Sequence, residues 1–425
     1  MNTRLALVAL ILSGLAACTS EDPGPQEAAS ASPSPSVSSP SPTQTESTEP
    51  SEPLFRGAWR DGTRSAIGKT AEWTNKVELA DLDSDGDVDL LFANGGDYEK
   101  PGTPVASRVF LDDGHGVFTE ATQQVFGNLK TSARVVKVAD LNGDGRSDIV
   151  LGTTFQTQSR LFVGTSGGGW ADSTAAGFPA APLSVGDLEP GDVDGDGDLD
   201  LVLAVWGKGS PMINGGGRVR LWLNDGSGRF SDVTDEQMPR ALVRFSWDLE
   251  LVDVDNDWDL DVATSCKLCS SSRLYLNDGR GSFTDVTEEA MPAFANNYDF
   301  APIDLDGDGY LDLVTINDGD DTSQGLAEHV FRNNGQGGFV DATDAWWPPE
   351  SNVGWDDNVV VGLDVESDGD ADFLIGSLDG PDRLLVNDGS GSLTLADEVF
   401  EGTASGGTLG MAAADLDGDL SLIHI

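Results

Sequence analysis

The chain has 425 residues and a formal charge of −49, from 73 acidic residues against 24 lysines and arginines. An excess of that size excludes nucleic acid and anionic membrane surfaces as partners, because like charges repel. It also opposes a compact fold unless cations neutralise it, which points to bound divalent metal.

The first 18 residues read as a targeting signal. Arg4 gives a positive start, Leu5 to Leu12 an apolar run too short to span a bilayer, and Leu15-Ala16-Ala17-Cys18 a small-residue cleavage site. That last string resembles the lipobox of bacterial lipoproteins. The resemblance implies that Cys18 is lipidated and that the exported chain meets the membrane only through this anchor. An Asp after the Cys retains many Gram-negative lipoproteins in the inner membrane, whereas Thr19 here favours the outer membrane or cell surface. Residues 19–53 are almost entirely Ser, Pro, Thr, Glu, Ala and Gln, so they cannot bury a core and are expected to form an extended tether.

Residues 54–419 are dominated by one nine-residue pattern, acid-x-acid/Asn-x-Asp-Gly-x-x-Asp, starting at Asp81, Asp140, Asp192, Asp253, Asp304, Asp364 and, cut short, Asp415. A second string follows each complete loop, most clearly Arg273-Leu-Tyr-Leu-Asn-Asp-Gly-Arg-Gly-Ser-Phe-Thr-Asp-Val-Thr287. Each unit holds four stretches of strand character; in the fourth they are Leu249–Val252, Leu260–Thr264, Arg273–Asn277 and Ser282–Val286. Asn-Asp-Gly before the last stretch is a hairpin signal, since Asn and Gly accept positive φ. Four short strands recurring about every 56 residues predict a β-propeller, all-β and most simply seven-bladed, with eight as the alternative. Loops two apart are separated by 111–113 residues, so the deeper period is a pair of blades. Odd blades carry the longer connections, at 94–107, 206–217 and 317–328. Trp59-Arg-Asp-Gly-Thr63 matches an outermost strand and is expected to close the ring, removing exposed sheet edges. Residues 420–425, Leu-Ser-Leu-Ile-His-Ile, match a frame of a sequencing-library transposon end; they are expected to be non-native read-through that truncates the seventh blade.

The acidic loops are the candidate metal ligands. A hard dication takes six to eight oxygens, and positions 1, 3, 5 and 9 supply side chains while position 7 supplies a carbonyl. The sets are Asp81, Asp83, Asp85, Asp87 and Asp89; Asp140, Asn142, Asp144, Arg146 and Asp148; and Asp192, Asp194, Asp196, Asp198 and Asp200. They continue with Asp253, Asp255, Asp257, Asp259 and Asp261; Asp304, Asp306, Asp308, Tyr310 and Asp312; Asp364, Glu366, Asp368, Asp370 and Asp372; and the partial Asp415, Asp417 and Asp419. Calcium, about one per complete blade, fits better than magnesium, which demands a tighter octahedron. Loop four puts Trp258 where Gly is expected and loop six has the longer Glu366, so these are the weaker sites.

Other candidates are few. Cys266 and Cys269 form Cys-x-x-Cys in a hairpin of an exported chain, which predicts a structural disulfide. Asp187, Asp248 and Asp299 each stand five residues before a loop, on the channel wall or at a solvated rim. No catalytic residues emerge. Trp206, Trp247, Tyr298, Trp346, Trp347 and Trp355 are expected to pack blades, any exposed one being a sugar-stacking candidate.

The repeats resemble FG-GAP/VCBS units, the calcium-loop blades of integrin α heads and bacterial surface proteins, over about residues 59–419. The string at 283–290 is similar to the cartilage-acidic-protein (ASPIC/UnbV) branch. The resemblance implies a monomeric, surface-exposed module that binds an extracellular protein or carbohydrate; the alternative is a secreted propeller lyase or hydrolase acting on polysaccharide.

Overall fold

The computed structural model describes residues 66–68, 72–96, 99–317, 327–396, 407–416 and 423–424. Cys18, the tether, the Trp59–Thr63 strand, Asp417 and Asp419 lie outside the described residues.

Six antiparallel sheets form, each from four consecutive strands. They run from β1 (Thr74–Ala80) to β4 (Thr119–Glu120), β5 (Ala133–Ala139) to β8 (Gly169–Asp172), and β9 (Val185–Gly191) to β12 (Phe230–Asp232). The others run from β13 (Leu249–Val252) to β16 (Thr284–Asp285), β17 (Asn297–Ile303) to β20 (Phe339–Asp341), and β21 (Asp357–Leu363) to β24 (Leu393–Ala396). The second strand of a blade is a continuous apolar run, such as Asp200–Val205, because neighbouring blades cover both of its faces. One core cluster joins Val150 and Leu161 of blade two to Leu188, Leu201, Trp222 and Phe230 of blade three. Each such Leu or Val contributes about 1.5–3 kcal/mol by leaving water.

After each of the first five outer strands the chain makes one helical turn, at Thr122–Val125, Thr174–Gly177, Thr234–Gln237, Thr287–Ala290 and Thr343–Trp346. The leading Thr hydroxyl accepts the third strand's amide at 3.0–3.1 Å in all five. In blades three to five it also donates to the Asp two residues earlier. The repeated Asp-x-Thr is therefore a strand-to-turn lock.

The expected count of seven or eight blades is corrected: among the described residues there are six four-stranded blades. Among the described residues the seventh repeat supplies β25 (Ala413–Ala414), paired with β26 (Ile423–His424). The segment at 407–416 instead wedges between the last blade and the first. Met411 joins the blade-six core, while Ala414 and Leu416 pack on Leu90 and Phe110 of blade one.

Candidate metal centres and the central channel

The six acidic loops share one construction. Position 9 opens the second strand, and Asp89, Asp148, Asp200, Asp261, Asp312 and Asp372 are all buried. One carboxylate oxygen accepts the position-2 amide at 2.8–3.2 Å. The other accepts an amide within one residue of the third strand's end at 2.8–2.9 Å. Position 1 accepts the position-6 amide, and position 5 the position-7 amide. The chain is thereby coiled so that carboxylates converge.

That coil needs positive φ at positions 4 and 6. Position 6 is met by Gly in five loops and by Trp258 (φ 74°) in the fourth; position 4 is met by Ser84, Gly143, Gly195, Asn256, Gly307 and Ser367. In blades one, three, four and six position 7 is an Asp lying against the first hairpin Gly, where a Cβ would come within 2.3–2.5 Å of a carboxylate oxygen.

Three carboxylates converge within metal-binding range in loops one (Asp81, Asp83, Asp85), three (Asp192, Asp194, Asp200), four (Asp253, Asp255, Asp261) and five (Asp304, Asp306, Asp308). Loop four thus assembles despite Trp258. Loop two offers the amide of Asn142 at position 3, and its Arg146 pairs with Asp144. In loop five, Arg332 bridges Asp306 at 2.5 Å and Asp308 at 2.8 Å, an internal counter-charge that the sequence did not reveal. The donor set fits a hard cation by a further observation: Asn142 Oδ1, Asp255 Oδ1 and Asp306 Oδ1, all at position 3, are buried with no hydrogen-bond partner. Burial pushes the position-9 carboxyls up, to about 6 for Asp89 and Asp148 and about 7 for Asp200, Asp261, Asp312 and Asp372. Burial, then neighbouring carboxylates, raises Asp83, Asp194, Asp255 and Glu366 at position 3.

Loops two to five are also gripped by the next blade. The hairpin residues Asn224, Asn277, Asn333 and Asn387 donate Nδ2 to the position-2 carbonyl of the preceding blade, on Leu141, Val193, Val254 and Leu305, at 2.7–2.9 Å. The same amide reaches the position-8 carbonyl of its own blade. The first Asn of the Asn-Asp-Gly turns, and of Asn333-Asn-Gly335, is therefore an inter-blade clamp as well as a turn former.

At the other end of the inner strands a β-bulge skips one residue six positions before the loop, at Asn75, Arg134, Gly186, Tyr298 and Asn358. Such bulges re-aim side chains, and Asn75, Arg134, Tyr298 and Asn358 line a central cavity of about 150 Å³ together with Trp247. Arg134 lies over the Trp247 ring at 3.3 Å and donates to Asn75 at 2.7 Å. Asp187, Asp248 and Asp299 are buried on the channel wall, not a solvated rim, and accept the amides of Leu249, Phe300 and Val360 in the next blade. Burial, and then Asp248, holds Asp299 well above the usual carboxyl range; burial, and then Asp248, does the same to Glu250.

Cys266 and Cys269 are disulfide-bonded. Trp206, Trp247, Trp347 and Tyr298 are buried in blade packing, whereas Trp355 is exposed. His115 lies in a hairpin turn and His329 stacks on Phe331.

Fold and loops define a β-propeller with one acidic loop between the first and second strand of every blade. The FG-GAP-like repeat model matches at residues 81–151, 140–203, 253–315 and 364–422, and the chain belongs to that family. A search of curated proteins finds no match. Among solved structures, the V. cholerae biofilm matrix protein Bap1 is 15% identical with a TM-score of 0.39, over 73% of this chain; the chain spans 45% of that protein's length. The BP39L lectin of Burkholderia pseudomallei is 11% identical with a TM-score of 0.49, covering 82% of this chain and 91% of that one. A Lactobacillus plantarum protein is 13% identical with a TM-score of 0.48, covering 77% and 86%.

Proposed function

We propose that this chain is a calcium-stabilised binding module, held at the cell surface by a lipid on Cys18, that recognises an extracellular protein or glycan. The observation that carries the reading is the distribution of exposed apolar side chains. Of the ten large apolar side chains exposed among the described residues, seven (Trp73, Met212, Ile213, Leu242, Val353, Trp355 and Leu378) sit on the face opposite the acidic loops, against Val117 and Trp258 on the loop face and Val340 on an outer strand. That face also bears the long odd-blade connections, of which the third is described only in part. Large apolar side chains gathered on one face of a rigid scaffold favour recognition. The cations at the channel mouth are already engaged, Arg134 by Trp247 and Asn75 and Lys76 by Asp187 and Asp248, which supports binding over catalysis.

The test is a glycan and matrix-protein array probed with calcium-loaded protein, followed by the Ile213→Asp/Trp355→Ser variant. Binding that disappears in the variant while its melting temperature holds is expected. Binding unchanged by the variant, or confined to the acidic-loop face, overturns the reading.

A further inference from the structure

The channel wall carries far more negative than positive charge, and none of it belongs to the acidic loops. Two tiers of inner-strand side chains face inward. Five residues before the loops stand Lys76, Asp187, Asp248 and Asp299; three before stand Glu78, Lys137, Glu189 and Glu250. All line the cavity except Asp187 and Glu78, which join the group through Lys76 and Lys137. Lys76 Nζ reaches Asp187 at 2.6 Å and Asp248 at 3.0 Å, and Lys137 Nζ reaches Glu189 at 2.5 Å. Counting Arg134 at the mouth, six acidic side chains face three basic ones, an excess of three acidic groups (6 − 3). Asp248 lies within hydrogen-bonding range of both Asp187 and Asp299, so three carboxylates stand in a row with one ammonium among them.

A second observation points the same way. Asp187 is fully buried and its Oδ1 finds no donor, although its Oδ2 holds Lys76 and the Leu249 amide. Asn358 is 3% exposed, lines the cavity, and its Oδ1 is likewise without a donor. Buried oxygens without donors, beside surplus carboxylates, call for a positive ligand.

We propose that the central channel binds a divalent metal cation of the calcium class, separate from the loop ions. Asp187, Asp248 and Asp299 are its carboxylates, and Glu250 adds a further acidic group beside Asp248. All donors are hard oxygens, and irregular oxygen sets with bound water suit calcium better than magnesium. The ion ties blades three, four and five together at the axis, where three carboxylates otherwise repel.

The experiment is a calcium count by mass spectrometry and a calorimetric titration on the full chain. It compares wild type, Asp299→Asn, Glu250→Gln and the loop variant Asp192→Asn. The channel variants are expected to hold one equivalent fewer, or to bind that one equivalent at least tenfold more weakly, with the loop equivalents unchanged. Asp192→Asn is expected to lose a different equivalent, so a failure of the loop reading is separable from a failure of this one. Glu250→Gln preserves shape and leaves the inter-blade amide contacts intact, so it answers the question if Asp299→Asn does not fold. Equal counts and unchanged titration midpoints in wild type and both channel variants overturn the proposal.

Discussion

Trp258 is the residue most at odds with its surroundings. It holds φ at 74° where five sister loops have Gly, and its side chain is 89% exposed. A bulky residue in the left-handed region costs about 1–2 kcal/mol, and removing an exposed indole forfeits little burial. Set against about 0.4–1 kcal/mol for the extra freedom of an unfolded Gly, Trp258→Gly is expected to stabilise the protein by about 0.5–1 kcal/mol in urea denaturation. A lower midpoint in the variant contradicts this account. Asn277 makes the opposite case. Its Nδ2 serves two carbonyls, Val193 at 2.8 Å and Leu260 at 3.1 Å, so Asn277→Ala leaves both short of a donor. The expected loss is about 1–3 kcal/mol, read as a lower denaturation midpoint at saturating calcium.

Glu328 adds a pH dependence at the same scale. It is fully buried against Asp357 and the Arg383 guanidinium (3.8 Å), accepts the Asn317 amide at 2.6 Å, and is held well above the usual carboxyl value by burial and then by Asp357. The folded state keeps the Glu328 proton while the unfolded chain releases it near its ordinary value. Wild-type stability therefore falls as pH rises from that ordinary value toward the raised one. Glu328→Gln mimics the protonated acid and removes this slope. Its melting temperature relative to wild type is expected to rise between pH 5 and 8, and a difference independent of pH counts against it.

The blade is the scale at which the sequence was most legible. Strands expected at Leu249–Val252, Leu260–Thr264, Arg273–Asn277 and Ser282–Val286 form at Leu249–Val252, Asp261–Thr264, Arg273–Leu276 and Thr284–Asp285. The apolar alternation and the Asn-Asp-Gly turn together specify that register. The bulge six residues before the loop was not legible, because a bulge exists only relative to a partner strand. Nor could Asn277 be read as a clamp, since its partner carbonyl is on Val193, 84 residues away. Position 4 escaped notice because Ser, Gly and Asn all serve there, hiding a shared backbone requirement. The hairpin glycine is testable at this scale. Gly279→Ala places a Cβ 2.3 Å from an Asp259 oxygen at φ 68°, so it is expected to destabilise by at least about 1 kcal/mol. Denaturation matching wild type contradicts that packing.

At the scale of the whole molecule, 33 of the 73 acidic residues are gathered by the fold into six loops on one face (27) and two tiers in the channel (6). Neutralisation by bound ions is then a large part of stability. An ion held at 100 times its dissociation constant adds about 2.7 kcal/mol. Chelation is therefore expected to lower the melting temperature by more than 10 °C, with recovery on adding calcium; a chelator-independent melt speaks against loop occupancy.

The inter-blade clamps all point one way around the ring. Loops two to five are each gripped by the Asn of the blade that follows, while loop one takes, in place of an Asn clamp, the Ser147 hydroxyl on its Asp81 carbonyl. Loop six receives no such grip among the described residues. Ion release on slow chelation should accordingly be sequential and polar, beginning at loop six and retreating toward loop two. The propeller then behaves as a ratchet that loosens from one designated seam.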